Sequence, residues 1–353
     1  MTKARIGVVG AGWWATQFHI PSLKAYEKAH LVGVADVKPE KAAAAADFYD
    51  IRNTYDNHQD LLAAGVDGVV IAVQHAYHYE VARDSLDAGA HVLVEKPMTL
   101  SAAHAWDLVE RARSNGLHLM VGYTFQFTRH AQAALEIVQS GKIGELQLVC
   151  GIFTSWVESY LRGRPQEYAE AFNFPVTGPE AGSYSDPRIA GGGQGHLQVT
   201  HPVGMALWVT GRRAVEVHAY MQSYDLAVDL VDSFSFRLDN GASGTMASTG
   251  AKRPGQRLYQ GFVYAGSKGC IRQDLAGGRL EVQYNDGSSE EFTALSAEEQ
   301  YPAHLPSREL TDLALGRTEN RAPGELGARV VEFLEAGYAS ALSGRPVRID
   351  SLT

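Results

Sequence analysis

Gly10-Ala11-Gly12-Trp13-Trp14-Ala15 follows the apolar run Arg5 to Val9 and has the residue types of a phosphate cradle. Gly10 permits a tight turn, and Gly12 leaves out the side chain that would block a pyrophosphate. Ala15 is small enough for the following helix to lie close on the strand. The N-terminus of that helix presents unpaired N–H groups and the positive end of its dipole to anionic oxygens. A second strand, His30 to Asp36, ends in an acid about 20 residues beyond the turn, where a carboxylate meets the ribose hydroxyls of an adenosine. Asp36 would repel a 2′-phosphate. The pattern therefore predicts NAD rather than NADP, with Lys38 as the neighbour able to blur that choice.

Glu95-Lys96-Pro97 is the second chemical group. It stands at the carboxyl end of the apolar run His91 to Val94, and ligands of open parallel sheets bind at that end of the strands. A lysine held there beside a nicotinamide can lower the pKa of a substrate hydroxyl. It can also accept the hydroxyl proton if burial depresses its own pKa. Pro97 allows a cis Lys–Pro bond. On the tripeptide alone, a surface lysine before a loop proline remains an equal alternative.

The elements that must position these residues alternate strand and helix. Glu40 to Tyr49 is an alanine-rich helix behind Pro39, and Gly68 to Val73 is a continuous apolar run of the kind buried on both faces of a parallel sheet. A helix over Tyr79 to Gly89, the strand His91 to Val94, a helix capped by Ser101 and the strand Leu117 to Val121 follow. Strands joined by crossover helices predict a doubly wound parallel sheet. After a helix over Ala131 to Ser140, the pattern changes to alternating strands: Gln147 to Thr154, Ala214 to Gln222, Val231 to Leu238, Gly244 to Ser248, Gly261 to Tyr264 and Glu281 to Tyr284. These read as antiparallel sheet with one exposed face. Ser155 to Gly193 is an insert without strong periodicity, a segment type that is usually functional or disordered. Leu326, Val330, Val331, Leu334 and Tyr338 mark one face of a final helix.

The 353 residues suffice for two domains, and a net charge of -9 argues against a nucleic-acid partner. Cys150 and Cys270 are the two cysteines, with neither a disulfide framework nor metal-ligand spacing. They fit a reducing compartment. No signal-like segment precedes the first strand and no apolar run approaches the roughly 20 residues of a bilayer span. A soluble cytoplasmic protein without membrane contact or metal is expected.

Together the segments resemble the glucose–fructose oxidoreductase / inositol dehydrogenase (Gfo/Idh/MocA) family. The matching stretches are the glycine turn, Asp36, Glu95-Lys96-Pro97, Gly141 to Leu146, Gly191-Gly192-Gly193 with the helix ending Trp208-Val209-Thr210-Gly211, and Glu335 to Val347. The resemblance implies an N-terminal α/β Rossmann domain, residues 1–122. It implies a C-terminal α+β domain, residues 123–353, with a large, mainly antiparallel open sheet, and allows the last helix to pack back on the first domain. One sheet face would carry the substrate site, and the other would form the interface of a homodimer or homotetramer.

Lys96 and His201 are the expected catalytic pair. The cofactor set is Gly10, Gly12, Trp13, Trp14, Ala15, Asp36, Val73, His75, His78, Glu95 and Lys96. The substrate set is Lys96, Tyr123, Trp156, Arg162, Arg164, Gln194, Gln198 and His201. Aromatic faces suit sugar C–H surfaces and guanidinium groups suit hydroxyls or acids. Helical spacing puts Gln194, Gln198 and His201 on one face.

The family pattern breaks in three places. Leu197 stands where members carry an aspartate four residues before the histidine, Val73-Gln74-His75 replaces Thr-Pro-Asn, and Thr124-Phe125 replaces a polar–arginine pair. The implied activity is NAD-dependent oxidation of a secondary hydroxyl on a sugar, sugar derivative or cyclitol. A redox-neutral NAD-dependent glycoside hydrolase is the alternative, supported by Thr200-His201-Pro202-Val203-Gly204 and the missing aspartate. A non-catalytic dinucleotide- and sugar-binding regulator is the third reading.

Overall fold

Every residue of the strand Gly68–Ile71 is buried, and so are nearly all of Ala4–Val9 and His91–Val94. Apolar runs of this kind can lie only between two covering layers. They form the centre of a six-stranded sheet made of β1 (Ala4–Val9), β2 (Ala29–Ala35), β3 (Thr54–Tyr55), β4 (Gly68–Ile71), β5 (His91–Val94) and β6 (Leu119–Val121). The order is β3-β2-β1-β4-β5-β6 and all pairings are parallel. The strand order reverses between β1 and β4, which opens a crevice at the carboxyl ends of those strands. The computed structural model describes residues 2–351.

The second sheet has nine strands. They are β7 (Leu146–Thr154), β8 (Ala214–Gln222), β9 (Val231–Leu238), β10 (Ser243–Thr249), β11 (Gln260–Gly266), β12 (Gly269–Asp274), β13 (Arg279–Tyr284), β14 (Ser289–Glu291) and β15 (Val347–Arg348). Their order is β14-β13-β12-β11-β7-β10-β9-β8-β15, antiparallel except where β7 lies beside β10. Burial alternates strictly along β9 and β10. On the covered face Phe234 and Phe236 pack on Phe333 of the long helix Gly324–Ser343. Leu148, Ile152 and Tyr220 remain exposed among the strands.

C-terminal segments also complete the first sheet. The helix Leu305–Ala314, which carries no strong signal in the sequence, packs on β5, β1 and β4. Val121 N–H donates to Ala322 O at 2.9 Å. The helix Gly324–Ser343 packs on β8 and on the helix Ala102–Ser114, so it touches both layers. Ser101 does not cap that second helix through its side chain, contrary to expectation. The Glu335 carboxylate accepts from Ala102 N–H at 2.7 Å instead. A distant acid does the cap's work at the positive end of the dipole.

The insert is structured. It winds through short helical turns, including Glu158–Leu161, Gly182–Ser185 and Pro187–Ala190. Val157, Tyr160, Leu161 and Tyr168 form a small core with Leu197, Val228 and Leu230, against which Trp13, Phe172 and Tyr184 pack. Side-chain hydrogen bonds tie the insert to the segments around the crevice of the first sheet. Gln17 Nε2 donates to Phe172 O, Trp13 Nε1 to Tyr184 OH, Gln74 Nε2 to Ser183 Oγ, and His75 Nδ1 to Ala190 O.

Candidate active site

A cavity of about 1390 Å³ runs from the crevice of the first sheet to the covered face of the second. At one end lie Gly10, Gly12 and Asp36. Gly10 has φ +95°, and a Cβ there would stand 2.4 Å from Ala72 O, so the turn accepts only glycine. A Cβ on Gly12 would meet nothing within 4 Å. The main chain there faces open space wide enough for a phosphate to approach. Asp36 is fixed by Ala11 N–H on Oδ2 (2.8 Å) and Lys38 N–H on Oδ1 (2.9 Å). An open glycine cradle followed by a carboxylate clamped at its rim fits the pyrophosphate and adenosine ribose of NAD. Ala15 is fully buried beneath the turn, as close helix–strand packing requires.

The helix after the turn begins with a π turn, Ala15–His19. Trp14 Nε1 and His19 Nε2 both reach Glu95 Oε1, at 2.9 and 2.8 Å. Burial alone would push the Glu95 carboxyl up, but His19, Lys96 and Trp14 together hold it below the usual carboxylate range. Glu95 Oε2 accepts from Lys96 N–H at 3.3 Å. Glu95 lines the cavity, but its oxygens are committed to neighbours. His78 is buried with its ring nitrogens on Pro97 O and Val73 O, and His75 fastens the insert. Val73, His75 and His78 line the cavity.

The Lys96–Pro97 peptide is cis. Lys96 is partly buried, and its Nζ donates to Leu197 O at 3.0 Å. Burial pushes its pKa down to about 8, against the raising influence of Glu95. Leu197 belongs to a second π turn, Gly195–Val199, just before the helix Thr200–Thr210. The glycines ahead of it have steric reasons. A Cβ on Gly193 would sit 1.9 Å from Asp229 O, and one on Gly192 or Gly195 would strike Tyr338 OH. With those side chains absent, Gly193 and Gly195 donate N–H to the two oxygens of buried Asp229, each at 2.7 Å, and Tyr338 OH donates at 2.9 Å. Asp229 thus anchors the start of the turn that presents Leu197 and Gln198.

His201 follows on that helix, buried between Phe125 and Phe153 with Tyr123 nearby. Burial first, and the Lys96 charge second, press its pKa well below the ordinary value, so the ring is neutral near pH 7. Its Nδ1 has no partner among the described residues. Lys96, Gln198 and His201 line the cavity together with the aromatic surfaces of Phe125, Trp156 and Tyr301.

Four expected substrate contacts fall elsewhere. Gln194 is fully buried and donates Nε2 to Ser155 Oγ (3.1 Å) and Ser248 Oγ (2.8 Å). The π turn breaks the regular spacing that put it beside Gln198 and His201. Tyr123 is buried behind the wall, bonded to Thr200 Oγ1 at 3.1 Å. Arg162 is held by Glu158 and Asp225, and Arg164 lies exposed by Glu167. None of the four lines the cavity. Trp156 does, with Nε1 donating to Gln256 O.

Sequence reading missed Phe153, Arg257, Gln260, Asp274 and Tyr301, which also line the cavity. These come from strand ends and loops of the second sheet and its flank, and no local motif marks them. Among the described residues no group of three or more His, Cys, Asp or Glu could hold a metal ion, and no helix is long and apolar enough to cross a membrane.

The sequence model of an oxidoreductase family with an NAD-binding Rossmann fold matches residues 4–123, and that of the GFO/IDH/MocA C-terminal domain matches residues 131–272. The chain is 31% identical over 143 residues to a D-glucoside 3-dehydrogenase of Escherichia coli (strain K12), covering 40% of this chain and 41% of that protein. It is 32% identical over 156 residues to an inositol 2-dehydrogenase of Corynebacterium glutamicum (strain R), covering 43% and 46%. The matches thus span under half the length of either relative. The crystal structure of GenD2 from gentamicin A biosynthesis in complex with NAD shares the fold with a TM-score of 0.80 at 24% identity, over 99% of this chain and 97% of that one. One family's two domain models account for the glycine cradle at one end of the cavity and for the helix of His201 at the other, and the chain belongs to the Gfo/Idh/MocA family of NAD-binding oxidoreductases.

Proposed function

We propose that the chain is an NAD-dependent dehydrogenase acting on a secondary hydroxyl of a sugar, sugar derivative or cyclitol, with Lys96 and His201 as its proton-handling groups. The observation that carries this reading is that one cavity holds both the Gly10–Gly12 cradle with Asp36 and the Lys96–His201 wall. The names of the two relatives, a glucoside dehydrogenase and an inositol dehydrogenase, support a polyhydroxylated substrate. When bound, the nicotinamide would supply the two-electron acceptor for the carbinol carbon.

The chain's own residues supply the rest. Lys96, with its pKa lowered to about 8, accepts the hydroxyl proton as a free amine and stabilises alkoxide charge as an ammonium. Neutral His201 offers a ring nitrogen to the same or the adjacent hydroxyl. Gln198 orients a neighbouring hydroxyl through its amide. Trp156, Phe125 and Tyr301 cover C–H faces and keep water from the reacting carbon. Trp13, Trp14, Val73, His75 and His78 shape the nicotinamide half of the crevice. The exposed face around Leu148, Ile152 and Tyr220 is the surface through which two or four copies would associate.

Incubation with NAD and panels of free sugars, cyclitols and aryl glycosides tests the reading. NADH formation in step with ketone product is expected. Aglycone release without net NADH would assign redox-neutral glycoside cleavage instead. NAD binding with neither signal would leave a sensor.

A further inference from the structure

Beyond Asp36, the adenosine end of the cavity is lined by Lys38 and Lys41 from the first domain and by Glu180 from the insert. Lys38 Nζ donates to Glu180 Oε1 at 2.7 Å, and Lys41 Nζ binds the same oxygen. Two cations converging within reach of an adenosine ribose are what a 2′-phosphate requires. Here one carboxylate already occupies both. The lysine pair draws Glu180 below the usual carboxylate range, so it stays charged through neutral pH.

We infer that Glu180 is a specificity-determining residue for the cofactor: an internal stand-in for a 2′-phosphate that quenches Lys38 and Lys41 and excludes NADP. A 2′-phosphate entering this end would have to displace Glu180 from both lysines and also meet the Asp36 carboxylate. NAD, with free ribose hydroxyls, meets Asp36 and leaves the three-residue cluster undisturbed. The inference rests on the dinucleotide reading of the crevice. It adds that NAD preference is divided between a residue of the first domain and one of the insert.

The insert position also explains why Lys38 does not blur the choice. A lysine two residues past Asp36 would favour NADP if its charge were free. The Gly178-Pro179-Glu180 segment comes over the rim and cancels it. Because the cluster is partly exposed, its effect is screened by salt and is strongest at low ionic strength.

Calorimetric titration of the full chain with NAD and with NADP, in low salt, reads this directly and needs no turnover. In E180Q the ratio of NADP to NAD dissociation constants should fall roughly tenfold, the worth of one charge-assisted hydrogen bond regained. E180S, which also lacks the charge, should shift the same way. Adding K38M and K41M to E180Q should return the ratio to the wild-type value. A ratio within about twofold of wild type in both single variants, while wild type binds NAD, overturns the role of Glu180 and leaves the cofactor reading standing. So does a gain that persists without the lysines. A wild-type chain that binds neither dinucleotide overturns both.

Discussion

The Lys96 ammonium donates to the main-chain carbonyl of Leu197 at 3.0 Å, across 101 positions of the chain. The family pattern places an aspartate side chain at Leu197. In this chain the leucine side chain turns away into the small core beneath the insert, and the backbone takes over the contact with the lysine. In a π register the Leu197 carbonyl would look five residues on, to Pro202, which has no N–H to give. A carbonyl orients the amine without adding charge, whereas a carboxylate would hold the amine protonated. That difference is consistent with the lowered Lys96 value.

The first consequence is kinetic. With Lys96 near pKa 8, oxidation of the hydroxyl should accelerate as pH rises through about 8, where the free amine forms, and then level off. The reverse reaction should slow over the same interval. K96M should lower kcat by about 10² to 10⁴ while changing NAD affinity only slightly. A flat pH profile, or full activity in K96M, would remove the lysine from proton transfer.

The second is thermodynamic. The folded value of Lys96 lies below its ordinary 10.5, so the unfolded chain binds more protons between about 8 and 10.5. Stability contributed by this group therefore rises with pH across that window and is lowest below pH 8. K96M should melt above wild type at pH 7, by about 1–2 kcal/mol after allowance for partial solvent screening. The gap should narrow toward pH 10. Thermal melts of both proteins at pH 7 and pH 10 check the sign, and a K96M protein less stable at pH 7 contradicts it.

Gln194 and Gln198 should separate cleanly by substitution. Q194A removes the amide shared by Ser155 and Ser248 inside the second sheet, and should cost about 1–3 kcal/mol of stability. Q198A removes a group on the cavity wall and should leave the urea midpoint nearly unchanged while raising KM. Equal effects of the two on KM would return Gln194 to the substrate site.

The glycine turn, the acid after the second strand and the buried apolar runs of the first sheet were legible in the sequence. Each is a local constraint: a backbone that tolerates no Cβ, a spacing along consecutive elements, a strand that must be covered twice. Lys96 and His201, which line the cavity, were legible as candidates because motifs of neighbouring residues surround them. Gln194, Arg162 and Arg164 were misplaced because residue type and nominal helical spacing do not reveal a π turn or a competing carboxylate. Glu158 and Asp225 hold Arg162, and Ser155 and Ser248 hold Gln194. Such partners come together only when distant segments fold. The same holds for the carbonyl that faces Lys96, the Glu335 cap on Ala102 and the meeting of Glu180 with Lys38. Local sequence determined the glycine turn and the alternating strands and helices of the first sheet; only tertiary packing decided the helix Leu305–Ala314, the π turn at Gly195–Val199, and which polar groups had partners or were left facing the cavity.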